Sequence, residues 1–197
     1  MRNDSEPKAL PPTVQRAIPA FRIGGWISFW VQVVLAVVAG IIFLFAVLFE
    51  RSRTGDTANN PGTNAGIFFA VAGLVALGIS IYWAFRYTRL ARQLGAAQPG
   101  LRPRKADAIQ MLRIGVIVNL SGMALSLMAA ESITGILLGK ALQPQGGRFR
   151  TDLSLDQFIQ PLDIFVVLAN THTIVAHFAG LITALCLIDW LGRQSKS

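Results

Sequence analysis

The chain has 197 residues, 53% of them hydrophobic and 14% charged, with a net charge of +8 and a mean hydropathy of +0.51. That composition excludes an ordinary water-soluble globule and makes a bilayer the expected solvent. The basic excess is read as cytoplasmic flanks and anionic headgroup contacts, not as a nucleic-acid partner, because no basic patch interleaved with aromatics stands outside the apolar runs.

Residues 1–20 carry Pro7, Pro11, Pro12 and Pro19 among charges and are expected to form a flexible polar tail, since they bury too little to order themselves. The first span is read at 26–49, an uncharged run from Trp26 to Phe49. Crossing about 30 Å of hydrocarbon takes about 20 helical residues, so the run suffices, and it is too long and too far along the chain for a cleaved signal peptide. A loop follows, rich in the turn formers Gly55, Asn59, Asn60, Pro61, Gly62 and Asn64. The second span is read at 66–87, with Tyr82, Trp83 and Tyr87 placed where amphipathic rings meet headgroups. A basic loop containing Arg92, Arg102, Arg104 and Lys105 leads to a third span at 112–131, with Arg113 and Glu131 near its ends. Residues 132–142 stay apolar as far as Lys140, which suits either a helix running past the membrane surface or one bending along it. After a polar stretch, Pro161 opens a fourth span at 162–188, bounded by Asp163 and Asp189. The expectation is therefore an all-α, polytopic bundle of four transmembrane helices over residues 21–192, with a short tail at 193–197.

Thirteen of the 18 Lys and Arg residues fall in the N-terminal segment, the loop between spans two and three, and the C-terminus. Short basic loops stay in the cytoplasm, so both termini are expected on the cytoplasmic side. Helices in lipid approach through small residues repeated every four positions. Such ridges occur at Ala72, Ala76, Ser80 and Ala84, at Gly122, Ser126, Ala130 and Thr134, and at Ala176, Gly180 and Ala184. They imply close helix packing, and leave a homo-oligomer or a membrane-protein partner as the expected association.

At about 100° per residue, Asp163, Asn170, Thr173, His177, Gly180 and Ala184 share one face of span four. Gly115, Asn119, Gly122, Ser126 and Ala130 make a similar stripe on span three, and Gln32 lies about two turns into span one. Buried polar groups are costly in lipid unless they are bonded or face water. Asp163, Asn170, Thr173, His177, Asn119 and Gln32 can thus be read as a permeation path for a small solute, a proton or a cation. On residue types alone, the stronger reading is that they hydrogen-bond one helix to another.

His172 and His177 sit about 140° apart on a helix and cannot jointly chelate an ion, so no firm metal site is expected, only transient ligation by His177 or Asp163. The single cysteine, Cys186, allows no intramolecular disulfide. No nucleophile and base pair, phosphate loop or dinucleotide fingerprint is present, so neither enzymatic activity nor a cofactor is expected.

Three strings carry a resemblance: Arg22-Ile23-Gly24-Gly25-Trp26-Ile27-Ser28-Phe29-Trp30-Val31-Gln32, Trp83-Ala84-Phe85-Arg86-Tyr87-Thr88-Arg89-Leu90, and Ala169-Asn170-Thr171-His172-Thr173-Ile174-Val175-Ala176-His177. Together they resemble the DUF3611-type four-span family of cyanobacteria and chloroplasts, over about Arg22 to Leu191. His172 stands where the resemblance leads one to expect a second Asn, which leaves Asn170 and His177 as the matching polar pair. Family members in the chloroplast inner envelope are described both as a permease and as a 21 kDa subunit of the translocon. The resemblance implies either permeation of iron or another small cation, or a non-transporting accessory subunit of a protein translocon or photosynthetic assembly. It moves the expectation toward transport. The lack of a transit peptide fits a bacterial member, in the cytoplasmic or thylakoid membrane of a cyanobacterium.

Overall fold

The computed structural model describes residues 12–53, 61–96, 103–142 and 161–193. They form four helices: α1 over Pro12–Arg53, α2 over Pro61–Leu94, α3 over Lys105–Leu142 and α4 over Pro161–Arg193. Proline opens three of them, at the position where a helix has no use for the missing N–H. The fourth, α3, is opened by a reciprocal cap. The Arg104 amide donates to the Asp107 carboxylate at 3.1 Å, and the Asp107 amide donates to the Arg104 carbonyl at 3.0 Å. All four helices are long and apolar enough to cross a bilayer, so the protein is an all-α, multi-pass membrane protein.

The helices outrun the spans read from hydropathy, because hydropathy marks where lipid begins and a helix ends only where its backbone bonding does. The 33 residues of α4 already cover about 50 Å at helical rise. Residues 12–20, expected to belong to the tail, form the first turns of α1 and bury Ala17 against the bundle. Residues 1–11 and 194–197 lie outside the described residues. Helix α3 runs without a break through residues 132–142, so that segment extends the third helix.

Each helix packs against its neighbours in a closed ring, α1 to α2 to α3 to α4 and back to α1, and α2 also meets α4 across the diagonal. Neighbours run antiparallel, so the start of α1, the end of α2, the start of α3 and the end of α4 share one end. This end gathers Arg16, Arg22, Arg86, Arg89, Arg92, Arg104, Lys105, Arg113 and Arg193. Its centre is an apolar plug in which Phe21, Tyr87, Leu112 and Leu187 are almost wholly buried. Around it lies an aromatic belt: Trp26 stacks on Trp30 at 6.1 Å, Phe29 meets Phe85 at 6.0 Å, and the Arg86 and Arg89 guanidiniums lie over Trp83 and Phe85. At the other end packing thins. No described side chain is buried in α3 beyond Ala129 or in α4 before Ala169.

Burial sorts the expected ridges. Ala176, Gly180 and Ala184 are all buried, as are Gly122 and Ser126. Ala130 is only half-buried and Thr134 is exposed, because the buried line steps from Ser126 to Ala129. In α2 the buried line is Gly66, Ala70, Gly73, Leu77, Ser80, Ala84 and Tyr87, so Ala72 and Ala76 fall to its side. A strict spacing of four drifts off a contact that follows about 3.6 residues per turn.

Candidate functional site

The polar side chains meet on the bundle axis. Ser28 and Gln32 come from α1, Ser80 from α2, Asn119 and Ser126 from α3, and Asn170, Thr173 and His177 from α4; all eight are buried. The small line of each helix faces inward, so these groups, spaced along the same lines, face inward with it.

Asn119 is the hub. Its Nδ2 donates to the Gly115 carbonyl at 2.8 Å, which fixes the amide and leaves Oδ1 to accept from two other helices. The Ser80 hydroxyl donates to it at 2.6 Å, and His177 Nδ1 approaches it at 3.4 Å. Ser80 Oγ also lies 3.1 Å from Gln32 Oε1, while Gln32 Nε2 lies 3.3 Å from Ser28 Oγ. A hydroxyl has one proton and cannot donate to two oxygens at once. Gln32 donates through Nε2 to Ser28, Ser80 spends its proton on the closer Asn119 oxygen, and Asn119 donates to the Gly115 carbonyl. The result is one polar chain across three helices.

His177 closes the set from α4. Its ring is fully buried, with Nδ1 toward Asn119 Oδ1 and Nε2 3.3 Å from the Gly73 carbonyl. Both neighbours are acceptors. A neutral imidazole, with one N–H, serves one of them, and an imidazolium serves both. Two glycines create the room. A Cβ on Gly122 would fall on the His177 ring, and one on Gly180 would fall between Gln32 Nε2 and Asn119 Oδ1.

Toward the thinly packed end, Asn170 Nδ2 donates to the Ser126 carbonyl at 2.7 Å, while Thr173 donates back to the Ala169 carbonyl at 3.1 Å. Toward the basic end, Tyr87 Oη points at Gly115; it and Ser126 Oγ are buried without a partner among the described residues.

The structure therefore brings Gln32, Asn119 and His177 together and sets Asn170 and Thr173 on the same axis. The side chain of Asp163 lies outside the described residues. Fourteen residues of unbroken helix, about 21 Å, separate it from His177, so the two cannot share one coordination sphere. His172 turns away and bonds the Leu168 carbonyl at 2.7 Å. No group of three His, Cys, Asp or Glu side chains able to hold a metal occurs among the described residues. Ser28 and the Gly73 carbonyl were missed in the sequence, and Ser80 was read only as part of a packing ridge. The i, i+4 pair of Ser28 and Gln32 was the available signal.

Four apolar helices closed round a shared polar chain define a polytopic membrane protein with a hydrogen-bonded core. The chain belongs to the family described as "Protein of unknown function (DUF3611)", which matches residues 11–192. It is 32% identical over 171 residues to "Protein TIC 21, chloroplastic" of Arabidopsis thaliana, across 85% of this chain and 55% of the relative. The chain thus spans about half the length of the curated relative it matches. No solved structure matches it.

Proposed function

We propose that this protein is a transport protein for a small cation, with iron as the first candidate substrate, working as a homo-oligomer or with a membrane partner and without enzymatic activity. The observation that carries the reading is His177: a titratable ring, wholly buried at the centre of a membrane bundle and joined to amides and carbonyls from α2 and α3. Ionisable groups at membrane depth are costly and mark ion or proton pathways more often than they mark simple packing. Four helices are few for alternating access, which usually rests on two packed repeats, hence the second copy or partner. The basic end faces the cytoplasm in this reading.

A second reading is favoured by a separate observation. Ser28, Gln32, Ser80, Asn119 and His177 are at most 2% exposed and are linked in one network, so the axis is filled by its own side chains. A non-transporting accessory subunit of a membrane complex needs only such a tied bundle and its outer surface. Being chloroplastic, the TIC 21 relative is compatible with either role in an envelope or thylakoid membrane.

Ferrous-ion uptake by proteoliposomes containing only this protein separates the two. Under the transport reading the parent takes up metal, and Asn170→Leu and His177→Phe assemble normally but lose at least tenfold in uptake. A well-folded parent with no uptake, or uptake that falls only in step with folded protein, supports the accessory reading instead.

A further inference from the structure

At the basic end, α1 and α2 leave a groove of about 470 Å³ between them. One wall is Ile18, Arg22 and Trp26, one residue per turn of α1, and the other is formed from Thr88, Arg92 and Gly95 of antiparallel α2. Eight residues of α1 make the groove about 12 Å long. Its mouth at the basic end is set by Gly95, where a Cβ would lie 3.6 Å from Ile18 Cδ1. Its floor is set by Gly25, whose missing side chain lets α1 press on Thr88.

Chemistry in the groove is one-sided. Arg22 and Arg92 are exposed, neither is in an ion pair among the described residues, and no acidic side chain lines the walls. The Thr88 hydroxyl is spent on the Phe85 carbonyl at 2.7 Å, so the two guanidiniums are the charged donors. Below them lie Trp26 and the Trp30 ring stacked on it, and Trp30 is 56% exposed. Two unpaired guanidiniums above an aromatic ramp that descends into the hydrocarbon match a ligand with an anionic phosphate head and an acyl tail. A free phosphate would use the arginines and leave the ramp empty.

We propose that this groove binds one anionic phospholipid, its phosphate between Arg22 and Arg92 and an acyl chain along Trp26 and Trp30. The site is independent of the axial polar chain and of whether that chain conducts.

The test is native mass spectrometry of the full chain in detergent, titrated with phosphatidylglycerol or phosphatidylcholine. The parent should retain one phosphatidylglycerol in preference to phosphatidylcholine, and excess inorganic phosphate should not displace it. Arg22→Gln with Arg92→Gln should weaken retention by roughly tenfold or more, because charge-assisted bonds to phosphate are lost. Arg104→Gln with Arg113→Gln removes the same charge from the same end and should retain the lipid. Arg22→Lys with Arg92→Lys should lose less than the Gln pair. Equal retention of the two lipids, equal loss in both Gln pairs, or a Lys pair as weak as the Gln pair would overturn the site. Displacement by inorganic phosphate would assign the arginines to a free anion and overturn the lipid.

Discussion

A Gly122→Ala substitution tests how tightly the axis is built. The added methyl would fall on Cε1, Nε2 and Nδ1 of the His177 ring, which is wholly buried and lies between the Gly73 carbonyl and Asn119 Oδ1. The ring cannot yield without leaving both acceptors. Overpacking of this kind costs about 1–3 kcal/mol. Interhelical hydrogen bonds in membranes average about 0.6 kcal/mol each, so losing one or two adds about 1 kcal/mol. Replacing a mid-helix Gly by Ala returns up to about 1 kcal/mol of helix propensity. The net expectation is a loss of about 1–3 kcal/mol in reversible unfolding followed by helical circular dichroism in mixed micelles. Gly78→Ala supplies the baseline, because a Cβ there meets nothing within 4 Å and only the propensity gain remains. The decisive measurement is a double-mutant cycle. In His177→Ala the ring is gone and the Gly122 methyl enters the space it leaves, so the two changes should couple by about 1–3 kcal/mol. Additivity within about 0.5 kcal/mol, or Gly122→Ala no worse than Gly78→Ala, would refute the contact.

Gly180→Ala places its methyl between Gln32 and Asn119, and is expected to cost about 1–3 kcal/mol; replacing Gln32 by Ala in the same chain should recover part of that loss in the same unfolding assay. For orientation, single cysteines at Asn59, Ala97 and Gln145 in a variant lacking Cys186 should react with an impermeant reagent on intact cells at 59 and 145 and stay unreacted at 97. The reversed pattern would place the basic end outside. Ser80→Ala should cost about 1 kcal/mol, since it removes the hydroxyl that lies between Gln32 and Asn119, whereas Thr171→Ala, whose hydroxyl bonds only the Val167 carbonyl of its own helix, should cost less than half as much.

How much of this was legible in the sequence depends on which solvent does the sorting. In lipid, apolar residues lie on both the outer and the inner faces of a helix, so Ile27, Val34 and Phe68 are exposed while Leu77 and Leu112 are buried, and hydrophobicity alone cannot say which is which. What does sort is size and polarity. The α4 stripe of Asn170, Thr173, His177, Gly180 and Ala184 was readable because all five members are small or polar and the buried His177 needs a partner. The α2 stripe was not, because Leu77 and Tyr87 interrupt it and the small residues spaced by four include Ala72 and Ala76, which lie beside it. Helix ends were hidden for another reason. No unbroken apolar run marks residues 12–20, yet Ala17 there and Phe21 next to it join a core built with residues of the other helices, contacts that no local window contains.

The bundle is built unequally along its axis, and that inequality bears on both readings of function. Between the polar chain and the basic end stands the plug of Phe21, Tyr87, Leu112 and Leu187, a layer with almost no solvent exposure. Toward the other end the buried polar side chains finish at Thr173 and Asn170, the latter next to Ala169, where burial of described α4 side chains stops. Among the described residues few buried side chains lie between that side and His177, whereas a solute would leave through the basic end only by displacing whole aromatic and leucine side chains, each worth about 2–5 kcal/mol of packing. Transport through one copy therefore requires the plug to move, and the polar chain from Ser28 to Gly115, which ties α1, α2 and α3 just beside it, is what such a movement would have to break. For an accessory subunit the same arrangement is static: the plug and the polar chain hold the basic half rigid, and the looser half is left to adapt to its surroundings.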